Sequence, residues 1–82
     1  MARIIDGADK NLIGQRVREL RIAKGMSQQE LSDKLEVLAI YVCRGSVSRI
    51  EDRLRTVTDI ELIGLARVLG VSVQELFEVS AG

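Results

Sequence analysis

Eighty-two residues make one small domain with room for a single core, and an apolar share of 46% is enough to fill it. The formal charge is zero, the only aromatics are Tyr41 and Phe77, histidine and proline are absent, and Cys43 stands alone. This composition excludes a disulfide framework, histidine-based zinc sites and Ser-His-Asp chemistry; no phosphate-loop or dinucleotide fingerprint is present either, so neither a cofactor nor an enzyme is expected.

No apolar run reaches the roughly 18–20 residues of a membrane span, and no signal-peptide pattern opens the chain. The expected location is therefore cytoplasmic. Leu, Ile, Val, Glu, Arg and Gln predominate without proline, which favours an all-α domain. Residues 1–10 have mixed character and read as a flexible arm, 11–79 as the folded domain, and 80–82 as a frayed end.

The first helix is expected over Asn11–Lys24, with Ile13, Val17 and Leu20 as its inner stripe. Gly14 inside it suggests close packing on a neighbour, and Gly25 is placed to end it. The second helix opens on a capping box, in which the Ser27 hydroxyl meets the Glu30 amide and the Glu30 carboxylate returns to Ser27. Met26 and Leu31 flank it as a hydrophobic staple, and Leu31, Leu35 and Leu38 fall on one face. Gln28, in the first turn, has an amide that could meet a phosphate beside free backbone N–H groups.

The connector Glu36–Cys43 has two readings. In the preferred one, the second helix continues to about Ile40, because Leu31, Leu35, Leu38 and Val42 keep helical spacing. In the other, the segment is a loop with Ile40 and Val42 tucked inward. Tyr41 is either a phosphate contact or a packed aromatic. Cys43 falls at the cap of the third helix, where a thiol is acidified, so it is either redox-sensitive or merely small enough for a cap.

In the third helix Val47 and Ile50 face inward. Arg44, Gly45, Ser46, Ser48 and Arg49 face outward or sit at its exposed start. Arg can pair bidentately with guanine, Ser can donate or accept, and a bare Gly permits close approach, so this face suits base edges. Two further capping boxes, Thr58 to Glu61 and Ser72 to Glu75, start helices four and five. Ile60, Ile63, Ala66 and Leu69 are expected in the core, Gly64 at a close helix contact, and Phe77 and Val79 either in the core or against a partner subunit.

Three segments taken in order, R-x-x-K-G-x-S-Q-x-E-L, S-x-S-R-I-E and L-A-x-x-L-G-V-S-x-x-E-L-F, run between Leu12 and Phe77. Together they resemble the lambda-repressor/Cro-type helix-turn-helix family of small bacterial and phage transcriptional regulators. The resemblance implies a compact five-helix domain whose helices two and three form the helix-turn-helix. It also implies an Arg21–Glu51 ion pair joining helices one and three, and a loop along the phosphate backbone to which Arg53, Arg55 and Thr56 are suited. The sequence departs from the family at the connector, which is about five residues longer than in short members and lacks the tight-turn glycine.

The implied function is a sequence-specific regulator, read as a repressor, that binds double-stranded DNA as a homodimer with helix three in the major groove. Neutral net charge is unusual for such a protein, but residues 1–55 carry eleven Lys and Arg against eight acids, while residues 56–82 carry one against four. The alternative is an antitoxin-like or partner-binding module that holds a protein partner through helices four and five.

Overall fold

The computed structural model describes residues 9–78, which form five helices and no strand. They are α1 (Gly14–Ala23), α2 (Gln28–Val37), α3 (Arg44–Glu51), α4 (Asp59–Leu69) and α5 (Val73–Leu76). Most of the expected arm, the frayed end and Val79 lie outside the described residues. The last two residues of that arm are tied down: the Lys10 amide donates to the Arg53 carbonyl at 3.0 Å, and Asp9 meets Arg53 at 3.3 Å.

Three helices begin on the reciprocal capping boxes read from the sequence, at Ser27/Glu30, Thr58/Glu61 and Ser72/Glu75. Each box satisfies two backbone N–H donors that a helix start otherwise leaves to water. α1 starts three residues later than the expected Asn11. Asn11 stays outside the helix, and its Oδ1 accepts from the amides of Ile13 and Gly14 at 3.1 and 2.8 Å. A side chain that binds backbone two and three residues on favours a turn over helix continuation, which sets the later start.

The helix ends share one bond pattern. After α1, α2 and α3, an amide reaches back five residues while the one before it reaches back three: Met26 to Arg21, Ile40 to Leu35 and Leu54 to Arg49 carry the longer bonds. This arrangement needs a left-handed residue just past the helix. Gly25 supplies it after α1, but Ala39 (φ 61°) and Arg53 (φ 60°) supply it after α2 and α3. Both exceptions flank the same helix, α3.

This geometry corrects the preferred reading of the connector. α2 stops at Val37 and does not run to Ile40. Ala39 turns the chain, Ile40 packs against the core, Val42 is buried, and Leu38 is exposed. Ile40 and Leu35 fill the space beside Gly64, where an added Cβ would collide with Ile40 Cδ1. The Ser32 hydroxyl donates to the Val42 carbonyl at 2.6 Å and fixes the far end of the connector to α2.

The core joins Ile13 and Val17 of the α1 region, Leu31 and Leu35 of α2, Val47 and Ile50 of α3, Leu65 and Leu69 of α4, and Leu76 of α5. α1 and α2 each pack on both α3 and α4. Ile60 and Ile63 are a second correction, because they are 65% and 53% exposed. They share the outer arc of α4 with Asp59 and Arg67, and no other described element covers that arc.

Candidate nucleic-acid interface

α3 separates its chemistry by face. Val47, Ile50 and Glu51 are buried, whereas Arg44, Gly45 and Arg49 are exposed and Ser46 and Ser48 are half-buried. Its first turn carries a small polar chain: Arg49 Nη2 donates to Ser46 Oγ at 3.2 Å, and Ser46 Oγ lies 3.5 Å from Cys43 Sγ. The Cys43 side chain does not cap the helix, although the residue occupies the cap position. The Ser46 hydroxyl and amide, with a smaller effect from nearby Arg49, hold the exposed thiol below its ordinary range. Nothing stands close to where a Gly45 Cβ would project except Arg49 Nη1 at 3.7 Å, so the helix surface is bare there.

The other end of α3 is held from two sides. Glu51 is only 4% exposed, and its carboxylate accepts from Arg21 Nε at 2.7 Å, Arg21 Nη2 at 3.0 Å and Gln28 Nε2 at 3.1 Å. Arg21 Nη1 also donates to the Met26 carbonyl at 2.7 Å. The Glu51 hydrogen bond raises the Arg21 pKa, against the lowering effect of burial. A bidentate pair with a further donor on a backbone carbonyl is the geometry in which a buried ion pair can offset its desolvation. On the opposite side, Gly14 abuts the Ile50 and Glu51 carbonyls so closely that an added Cβ would clash with the Ile50 oxygen. Asn11 Nδ2 donates to the Ile50 carbonyl at 3.0 Å and to the Arg55 carbonyl at 2.9 Å.

The remaining residues expected at phosphates divide. Tyr41 is 79% exposed beside the start of α3, and Thr56 is exposed. Arg53 is half-buried and pairs with Asp9 at 3.3 Å. Gln28 spends one amide N–H on Glu51 and retains a second. Arg55 is turned inward, with both Nη groups on Glu61 at 3.2 and 3.0 Å. Burial pushes the Glu61 carboxyl up, but the Arg55 hydrogen bonds and the Thr58 amide outweigh it and leave the group below its usual range. Sequence reasoning identified Glu61 as a cap and missed its second role. It also missed the bridging role of Asn11, which it counted as the first residue of helix one.

Residues 17–76 match the protein family described as Helix-turn-helix. The chain belongs to this family. Among solved structures it is similar to the restriction-modification controller protein C.AhdI from Aeromonas hydrophila, with 37% identity, a TM-score of 0.70, and coverage of 79% of this chain and 91% of that one. It is also similar to SinR, the master regulator for biofilm formation of Bacillus subtilis, in complex with DNA, with 36% identity, a TM-score of 0.69, and coverage of 80% and 98%. A SinR–SinI protein complex matches at 37% identity and a TM-score of 0.67, covering 80% of this chain and 60% of that one. The comparison with curated proteins found no match.

In this family frame α2 and α3 are the helix-turn-helix, and the connector Leu38–Cys43 takes the place of the tight turn. No helix among the described residues is long and apolar enough to cross a membrane.

Proposed function

We propose that the protein is a sequence-specific regulator of transcription, acting as a repressor, that inserts α3 into the major groove of double-stranded DNA. Arg44, Ser46, Ser48 and Arg49 read base edges, and Gly45 lets the helix approach closely. Gln28, Tyr41, Arg53 and Thr56 contact phosphates and set the register. Arg55 is assigned to the fold, because a phosphate would have to displace Glu61 from it. The observation that carries this reading is the division of α3 into a buried Val47–Ile50–Glu51 face and an exposed Arg/Ser face.

The protein binds as a homodimer, through the exposed arc of α4. Asp59 and Arg67 form no ion pair among the described residues and bracket Ile60 and Ile63. Antiparallel pairing of two such helices about Ile63 sets each Asp59 against the other copy's Arg67. The same arc favours the second reading, a protein partner held by α4 and α5.

Selection from a random duplex library at two salt concentrations tests both readings, with Arg44→Ala and Arg49→Ala run alongside. A palindromic consensus is expected, and each variant should lose roughly 1–3 kcal/mol at particular base pairs while remaining helical by circular dichroism. If folded wild-type protein enriches no duplex, the DNA reading fails and the partner reading replaces it.

A further inference from the structure

The segment leading into α1, with the first residue of that helix, touches the exit of α3 at four backbone positions. The Lys10 amide binds the Arg53 carbonyl, Gly14 abuts the carbonyls of Ile50 and Glu51, and Asn11 bridges Ile50 and Arg55. The Asn11 side chain is fully engaged. Its oxygen accepts from two amides at the start of α1, and its nitrogen donates to the Ile50 carbonyl in the last turn of α3 and to the Arg55 carbonyl of the loop that follows. One amide group therefore fixes the first turn of one helix against the last turn of the other.

From this geometry we infer that Asn11 is a specificity-determining positioning residue. It sets the position of α3 along its axis and the course of the 52–56 loop, without itself touching DNA. The inference rests on the reading of α3 as the base-reading element. Hydrogen-bond capacity makes the position selective, because no other neutral side chain of this reach both accepts twice and donates twice. Aspartate would set a carboxylate against two carbonyl oxygens. Serine could still accept at the start of α1 but could not reach the Ile50 or the Arg55 carbonyl.

The anchor acts on the end of α3 opposite Arg44 and Ser46. Releasing it lets the helix shift or tilt about the Arg21–Glu51 pair, which displaces the base-reading face while leaving the surface charge unchanged. Discrimination between sequences depends on that displacement, whereas sequence-independent binding depends on charge.

The test is Asn11→Ser, a neutral change, in the full chain. Affinity is measured for the selected consensus duplex, for single-mismatch duplexes and for an unrelated duplex, each across a salt series. The ratio of consensus to unrelated affinity is the decisive readout, because any loss of folded protein lowers both values equally and cancels. The expected result is about a tenfold fall in that ratio and flattened mismatch penalties at both ends of the salt series. An unchanged ratio overturns the inference and leaves Asn11 with a role in stability alone. Mismatch penalties that keep their wild-type values also overturn it, because the base-reading face would then not have moved. If wild-type protein selects no consensus, the DNA reading fails and the inference fails with it. If wild type selects one and the variant keeps the ratio, only the inference fails.

Discussion

Removing the Glu51 carboxylate is the most severe single test of this architecture. Glu51→Ala leaves the Arg21 guanidinium, whose side chain is 12% exposed, with only the Met26 carbonyl as a partner among the described residues. Breaking a buried pair by removing one member costs roughly 3–5 kcal/mol. A domain of this size has roughly 4–12 kcal/mol of stability in total, at about 0.05–0.15 kcal/mol per residue. The variant should therefore be partly unfolded at room temperature.

Glu51→Gln keeps the shape but sets an amide N–H₂ toward one of the Arg21 donors, so its loss should approach that of a charged hydrogen bond, about 1.5–3 kcal/mol. Gln28→Ala removes the third donor and should cost least. Urea unfolding followed by circular dichroism gives the order directly. In a double-mutant cycle, Arg21→Ala and Glu51→Ala together should cost little more than either alone. Additive losses, or an unfolding midpoint of the wild type that falls steeply in molar salt, would refute the argument, since a buried pair is poorly screened.

Three other outcomes follow from local geometry. Ala39→Gly removes a Cβ from a left-handed position and should raise stability by up to about 1 kcal/mol, seen as a higher urea midpoint at unchanged slope. Gly14→Ala should do the reverse, because the new Cβ meets the Ile50 carbonyl, and a backbone atom cannot step aside as a side-chain tip can. Because the Glu61 carboxyl is held below its usual range, its contribution is present above the unfolded carboxylate pKa and is lost as pH falls through the folded value. Glu61→Gln should therefore weaken the protein at neutral pH and flatten its acid unfolding profile, and Arg55→Ala should do much the same.

The helix starts were legible because capping boxes are local: Ser27, Thr58 and Ser72 each name their own partner three residues on. The inward face of α3 followed from the three-residue spacing of Val47 and Ile50. The stop after α2 was not legible, since Ala39 does what glycine normally marks and carries no sign of it. Periodicity placed Ile60 and Ile63 inside because it measures apolar spacing and not whether a neighbour exists to cover the arc. Arg55 read as a phosphate contact because the family resemblance lays its loop along the backbone, and its partner, Glu61, was already accounted for as a cap. The two donations of Asn11 span 39 and 44 residues, a separation at which no sequence pattern operates.

The anchoring of the connector also bears on the thermodynamics of binding. Its start is closed by the Leu35–Ile40 backbone bond, its middle is held by Ile40 beside Gly64, and its end is latched by Ser32. These residues add length between the two helices without adding slack, so docking on DNA has no segment there to order. Calorimetry on the consensus duplex should then record only a modest negative heat-capacity change, with none of the large signature of folding coupled to association. Cutting the latch with Ser32→Ala should make that heat-capacity change more negative, because ordering deferred from the free protein would take place on the DNA.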